Sequence, residues 1–111
     1  MTNYATGHEA EKIAADYLKT QGFKILELNW RTKYCEIDIV ARKAKRIYLV
    51  EVKSRRSLAQ GSGVEYITVK KLQQMRFAAE MWVSTQGWKG DYQLAAISID
   101  AGQVQLIEID S

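Results

Sequence analysis

Two acidic residues and a glutamate–lysine pair lie close together in the sequence, in an arrangement that could bind a divalent metal ion. Glu36 and Asp38 are two residues apart, and Glu51 and Lys53 repeat that spacing. Because side chains two residues apart share one face of a β-strand, each pair points to one side if the stretch forms two strands. Carboxylates held close together repel each other unless a cation or a proton lies between them. Magnesium suits such a site, and a neighbouring lysine could activate water or stabilise charge on a phosphate.

The connection between the two predicted strands decides whether the pairs meet. An even-length connection, formed either by residues 44–45 or by residues 43–46, places Asp38 opposite Glu51. It also places Glu36 opposite Lys53. An odd-length connection would put Asp38 and Glu51 on opposite faces. The stretch contains no Asn-Gly or Asp-Gly, the usual signals of a tight two-residue turn, so the four-residue version is the favoured one.

Bulk properties limit the class of protein. The chain has 111 residues, 47% of them hydrophobic, a formal net charge of +3 and one cysteine, Cys35. This length predicts a single domain, residues 1–111, with one hydrophobic core. No long apolar run predicts a membrane span, and the N-terminus lacks the pattern of a secretory signal, so we expect a cytoplasmic protein without a membrane partner. One cysteine suits a reducing compartment, and with only His8 as a second soft ligand it does not indicate a zinc site.

Basic residues are concentrated near the candidate carboxylates, in the predicted turn and at the end of the second strand. Positive charge next to a metal site would suit a phosphate-rich substrate, whereas a solvated turn explains the charge pattern equally well. The loop-like segment Ser54–Gly63 is interpreted as a mobile segment beside the site or as a plain connection. The candidate nucleic-acid contacts are Lys43, Lys45, Arg46, Arg55 and Lys71.

A helix is predicted near the N-terminus. Thr6 and Glu9 have the spacing of a capping box, and Gly22 is the predicted end. Glu11 lies about 20° around the helix from Leu18, at the border of the apolar stripe, from where it could reach an adjacent site. The alternative is an acid that only complements the helix dipole. The stripe itself, at helical spacing, is Ala10, Ile13, Ala14, Tyr17 and Leu18.

A second helix is predicted from a cap at Thr68 to Thr85, with Gly87 as its end. Lys70 and Lys71 fall in its first turn, where the helix dipole disfavours cations and a bound anion would make them useful. The predicted apolar stripe of this helix is Leu72, Met75, Ala79, Trp82 and Val83.

The remaining segments alternate as β-strands do. Predicted strands are Phe23–Trp30, with a slight irregularity, then Cys35–Ala41, Ile47–Lys53, Asp91–Asp100 and Gln103–Asp110. The side chains expected on one helix-covered face are Ile37, Ile39, Ala41, Tyr48, Val50 and Val52. The acids expected to be solvated charges at a C-terminal edge are Asp100, Glu108 and Asp110.

These elements predict an α/β domain. The order α-β-β-β-α-β-β contains one strand–helix–strand step, which should be a right-handed crossover that makes a parallel neighbour. The result is a mixed sheet of about five strands flanked by helices.

The chain resembles the YraN family of small bacterial proteins, also called UPF0102. The likeness covers nearly the whole length, and its specific part is the EID motif followed by VEVKSR at this spacing. Alanine at position 10 and cysteine at position 35 stand where the family usually has glycine. The matching residues are Ala10-Glu11, Ala14, Leu18, Asn29-Trp30-Arg31, Glu36-Ile37-Asp38, Val50 to Arg55 and Lys71.

The resemblance implies an endonuclease-like PD-(D/E)xK core, similar to restriction enzymes and to archaeal Holliday-junction resolvases. In such folds an acid on the first helix, an aspartate and a Glu-x-Lys motif form the metal site. These roles correspond here to Glu11, Asp38, Glu51 and Lys53, with Glu36 as a supporting residue.

The resulting expectation is a Mg²⁺-dependent DNA endonuclease, with Mn²⁺ able to replace Mg²⁺, that acts on branched or otherwise structured DNA. Asp38, Glu51 and Glu11 would bind the metal and Lys53 would orient or activate water. The alternative is a nucleic-acid-binding module of the same fold that leaves the chemistry to a partner protein. The short chain has little room for a recognition domain, which favours a homodimer or a partner. A third interpretation is a protein-interaction scaffold that uses Trp82, Trp88 and Tyr92.

Overall fold

A five-stranded mixed β-sheet lies between two helices in the computed structural model, which describes residues 7–55 and 67–109. The strands follow each other across the sheet in chain order, and only β3 and β4 are parallel. This arrangement confirms the predicted α/β class, element order and parallel step. The elements are α1 (Gly7–Thr20), β1 (Lys24–Arg31), β2 (Glu36–Lys43), β3 (Arg46–Arg55), α2 (Val69–Gln86), β4 (Asp91–Asp100) and β5 (Gln103–Ile109).

Helix α1 covers one face of the sheet through small side chains. Ala10, Ala14 and Leu18 are buried as predicted, but Ile13 is 39% exposed and Ala15 is buried instead. At about 100° per residue, the arc from Ala10 to Ala15 spans about 140° and Ile13 falls outside it. The buried face is therefore rotated from the predicted stripe, and Glu11 lies within that face instead of bordering it.

Helix α2 covers the opposite face, and its ends are where the sequence predicts them. The Thr68 side chain accepts a hydrogen bond from the backbone N–H of Lys71 at 3.0 Å, and Gly87 ends the helix with a φ of 65°. Its buried residues are Met75, Ala78, Ala79 and Trp82, so the predicted stripe is confirmed in its centre. They pack against Ile37, Val40, Ile47, Leu49 and Leu94.

Replacing Thr68 with alanine is expected to lower the free energy of unfolding by about 1 kcal/mol, because the first turn of α2 loses its side-chain acceptor. Thr68→Ser keeps the hydroxyl and serves as the control. Guanidinium denaturation of the three proteins measures the effect, and equal loss in both variants would contradict the assigned cap.

The β2–β3 hairpin has the predicted register but a shorter turn than the favoured version. The ladder runs from Ile39–Val50 to Lys43–Arg46, so residues 44–45 form the connection and the four-residue turn is wrong. Ala44 adopts a φ of 54°, and the Arg42 Nε donates a hydrogen bond to its carbonyl at 3.0 Å. A side chain thus supports a tight turn that lacks the usual turn residues.

Strand β1 contains the predicted irregularity. The register with β2 shifts between Ile25 and Glu27, and Asn29 has a positive φ of 52°. Opposite this stretch, Ile37 packs on the α2 side, whereas Ile39 packs on the α1 side. The prediction that both share one face is wrong, because the strict alternation of β2 is interrupted between them.

The C-terminal hairpin also corrects a prediction about charge. Asp100 is buried and its Oδ2 accepts a hydrogen bond from the Ser98 hydroxyl at 2.7 Å, so it is not a solvated edge charge. It pairs with Arg55 of β3 on one side and Gln103 of β5 on the other, which makes β4 an inner strand at this point. Glu108 is exposed as expected.

Some predictions fall outside the described residues. These are the cap at Thr6, most of the loop-like segment, residues 56–63, and the solvated Asp110. Within the described ranges, neither helix has the length and apolar character needed to cross a bilayer.

Candidate functional site

Strands β2 and β3 separate beyond the Ile39–Val50 pair, one step before the predicted pairing of Asp38 with Glu51. The Oδ2 of Asp38 accepts the backbone N–H of Val52 at 2.8 Å. This hydrogen bond satisfies a donor that the ladder leaves unpaired, so the Asp38 carboxylate is held inside the fork between the strands. Strand β3 itself stays in place because its pairing with β4 continues to Arg55.

Glu51 lies between two lysines. Its Oε2 is 3.1 Å from the Nζ of Lys71 and 3.8 Å from the Nζ of Lys53, and its side chain is only 15% exposed. Lys71 comes from the first turn of α2, where a cation is disfavoured by the helix dipole. The ion pair with Glu51 accounts for that placement. Lys71, predicted as a DNA contact, is therefore part of the carboxylate site itself.

Asp38 is electrostatically crowded. The pKa of its carboxyl is raised to about 6, chiefly by burial and then by the negative charge of Glu51, while the hydrogen bond from Val52 lowers it. Glu11 and Glu36 contribute smaller increases. Negative charge from all three predicted partner acids therefore reaches Asp38.

Glu11 is held by a residue that the sequence analysis did not assign to the site. The Asn29 Nδ2 donates a hydrogen bond to Glu11 Oε1 at 2.6 Å, and both side chains are half-buried. The positive φ of Asn29 turns its side chain toward α1, and asparagine tolerates this conformation better than most residues. The only sequence signal was the Asn-Trp-Arg match to the family, because a strand pattern alone predicts no such turn.

Asn29→Ala is expected to lower the free energy of unfolding by about 2 kcal/mol, since it removes a hydrogen bond to a carboxylate and because alanine tolerates the left-handed region less well than asparagine. Asn29→Gly also removes the hydrogen bond but adopts this φ freely, so it should cost only about half as much. Urea denaturation compares the two, and a glycine variant less stable than the alanine variant would contradict this explanation.

Glu36 lies at the rim of the site, with a different partner from the predicted one. Its carboxylate is 3.4 Å from the Arg31 guanidinium, and both side chains are exposed. The expected pairing of Glu36 with Lys53 is absent from the β2–β3 ladder, because the strands have already separated. Lys53 is instead next to Glu51 on its own strand.

The basic turn lies away from the carboxylates. Lys43 is five positions beyond Asp38 on β2, about 17 Å away along an extended strand. The Lys43 ammonium lies over the Phe23 ring at 5.1 Å from its centroid. The structure therefore does not bring Lys43, Lys45 and Arg46 next to the site, and their contact with nucleic acid remains a prediction. The Arg55 side chain, also predicted as a nucleic-acid contact, lies outside the part of the chain that the structure describes.

The oxygen donors fit a magnesium ion. The negative charges of Asp38 and Glu51 repel each other in a partly buried fork. Mg²⁺ needs only one or two protein carboxylates when water and phosphate complete its coordination shell. Among the residues that the structure describes, no three His, Cys, Asp or Glu side chains form a ready group for a metal. Glu11 as a third ligand therefore remains a prediction, and the fit rests on the other two acids.

A comparison with family models matches residues 10–109 to a group described as an uncharacterised protein family, UPF0102. The chain belongs to the UPF0102 family. Relatives within UPF0102 include a protein of Rhodococcus jostii, 37% identical over 109 residues that span 96% of this chain and 92% of the relative. Another, from Thermotoga neapolitana, is 46% identical over 81 residues, 73% of this chain and 74% of the relative.

The UPF0102 match confirms the resemblance drawn from the sequence. The matched range includes every residue of the fork described above, from Glu11 and Asn29 to Lys71. A more divergent UPF0102 protein, from Herpetosiphon aurantiacus, is 33% identical over 109 residues, 92% of this chain and 88% of the relative. The names of these relatives state membership in the family and no activity.

Proposed function

We propose that this protein is a Mg²⁺-dependent DNA endonuclease that hydrolyses phosphodiester bonds in branched or otherwise structured DNA. The observation that carries the proposal is the crowding of Asp38 by Glu51 in a partly buried fork, with the Lys53 ammonium 3.8 Å from Glu51. Two acids forced together disfavour each other's charge and create a need for a cation. The family resemblance to PD-(D/E)xK nucleases points to the same chemistry.

Asp38 and Glu51 would hold the metal through their carboxylate oxygens. A bound Mg²⁺, or Mn²⁺ in its place, would lower the pKa of a water molecule and stabilise charge on the phosphate. Burial and the hydrogen bond from Val52 fix the Asp38 carboxylate within the fork. Glu11, anchored by Asn29, would add negative charge behind this pair.

The two lysines would act on the phosphate and on water. Lys53 shares a strand face with Glu51, so its ammonium can orient the attacking water or donate to a phosphate oxygen. Lys71 lies 3.1 Å from the same carboxylate, and a cation bound there would release it toward the phosphate.

A second candidate function is a non-catalytic nucleic-acid-binding module that works with a partner protein. The observation that favours it is that Glu51 is paired with Lys71 and lies near Lys53, so two ammonium groups already offset its charge. Such a site would be electrostatically satisfied, and the same lysines could bind phosphate without cleaving it.

A cleavage screen separates the two functions. Purified protein is incubated with Mn²⁺, Mg²⁺ or EDTA and with linear duplex, single-stranded, flap and four-way DNA of matched sequence. The endonuclease proposal expects metal-dependent products from at least one substrate. DNA binding without products from any substrate, in either metal, would instead support the binding module.

A further inference from the structure

A cleft of about 690 Å³ opens beside Glu51, between the N-terminal half of α2 and the connection from β1 to β2. Two large aromatic side chains line it from different elements and remain open to solvent. Tyr34, from the connection, is 71% exposed, and Phe77, from α2, is 46% exposed. Large rings that stay partly exposed in a cleft of this size indicate a surface for a ligand.

The same cleft is lined by cations and amide groups as well as by two glutamates. Lys70 and Lys71 line it from the first turn of α2, and among the described residues no ion pair includes Lys70. Gln73 and Gln74 follow one turn later on the same side of the helix and also line the cleft. Amide groups of this kind both donate and accept hydrogen bonds. Cations, amides and aromatic rings together match the phosphates, base edges and base faces of a nucleic acid strand.

We propose that this cleft binds an unpaired strand of DNA, with at least one base stacked on the ring of Tyr34 or Phe77. The proposal rests on the proposed nuclease function and narrows its substrate to DNA with a single-stranded segment at the cleavage site. Because Glu51 lines the cleft, a strand in it passes directly beside the candidate metal-binding carboxylate.

The aromatic rings favour a single strand over a continuous duplex. Inside a duplex each base face is covered by its neighbours, so a ring in a side cleft cannot reach it. A site for an intact duplex needs cations and polar groups along the phosphates, and exposed rings add nothing to it. On a single strand the same rings provide stacking that does not depend on sequence.

Fluorescence anisotropy with labelled oligonucleotides tests the proposal. The full chain carrying Asp38→Asn is used with Mg²⁺, so that cleavage does not interfere. Tyr34→Ala and Phe77→Ala are each expected to weaken binding of a single strand by roughly tenfold and binding of a duplex of equal length by less than about twofold. Tyr92→Ala is the matched control, because Tyr92 is 42% exposed and does not line the cleft.

A second arm tests stacking directly with a strand in which several bases are replaced by abasic positions. The proteins with both rings should lose affinity for this strand, and the double variant lacking Tyr34 and Phe77 should lose none. Because both side chains are exposed, these variants are expected to fold, and circular dichroism verifies it. Equal loss of affinity for the abasic strand in both proteins would overturn the proposal.

The outcomes distinguish the cleft from the nuclease. If Tyr34→Ala and Phe77→Ala behave like Tyr92→Ala on a single strand, the cleft assignment is wrong and the nuclease proposal is unaffected. If no substrate is cleaved with Mn²⁺ by the unmodified protein but ring-dependent strand binding persists, the nuclease proposal fails and the cleft assignment holds. Absence of binding to any DNA overturns both.

Discussion

Asp38→Asn is expected to reduce Mn²⁺-supported DNA cleavage by at least about 10²–10³-fold, with circular dichroism unchanged. The asparagine oxygen can still accept the N–H of Val52, so the fork keeps its geometry while the negative charge is lost. Without that charge the site holds a divalent cation poorly and the attacking water is not activated. Initial cleavage rates on the best substrate of the screen measure the effect.

Two control substitutions make this result specific. Asp16→Asn is the same chemical change on the exposed side of α1, where Asp16 pairs with Lys12 at 3.4 Å, and it should leave the rate unchanged. Glu51→Gln should match the loss seen at Asp38, because both acids would bind the metal. Cleavage by Asp38→Asn at a rate close to that of Asp16→Asn would exclude Asp38 as a metal ligand.

The same substitution is expected to stabilise the protein at neutral pH. The pKa of Asp38 is raised from its ordinary 3.8 to about 6, so the folded state favours the protonated carboxyl. The contribution of this carboxyl to the free energy of unfolding is fully present below about pH 4 and is lost as the pH rises through 6. After allowance for partial solvent exposure, the loss is about 2 kcal/mol above pH 7, and Asp38→Asn does not suffer it.

Thermal unfolding from pH 4 to pH 8 measures this difference. The Tm of Asp38→Asn should exceed that of the unmodified protein by about 5–10 °C at pH 8, with little difference at pH 4. Mg²⁺ should raise the Tm of the unmodified protein only, because it offsets the repulsion between Asp38 and Glu51. A Tm difference of the same size at both pH values would show that the charge of Asp38 is not its cause.

These opposite effects would identify Asp38 as a residue kept for function at a cost in stability. A buried structural acid with satisfied partners would lose stability on neutralisation. Neutralising an acid that is kept for binding a cation would instead stabilise the protein. The cleavage rate and the Tm are measured independently of each other. The combination is therefore more informative than the loss of activity alone.

Local patterns were sufficient where one interaction dominates. The cap of α2 at Thr68 and its end at Gly87 follow from backbone groups that need a nearby partner, and both are where the sequence places them. The register of the β2–β3 hairpin follows from an even connection, and the ladder from Ile39–Val50 to Lys43–Arg46 confirms it. The turn length was wrong, because the Arg42 side chain supports a turn that lacks the usual signals.

Contacts between residues far apart in the sequence decided the rest of the site. Two-residue alternation predicts that Asp38 continues the ladder, but its carboxylate takes the N–H of Val52 and the strands separate. Helical periodicity places Glu11 at a border, whereas packing of the small side chains of α1 turns it inward to Asn29. Spacing along the chain cannot report such contacts, since they depend on which residues of other elements arrive nearby.

By itself the sequence determined the α/β order, the family and the register of the β2–β3 hairpin, because periodicity, caps and spacing are local properties. Only the tertiary structure decided that Lys71 reaches Glu51, that Asn29 holds Glu11 and that the basic turn lies far from the acids. The physical reason is that charge and hydrogen-bond partners are chosen by distance in space, which the packing of α1 and α2 on the sheet sets.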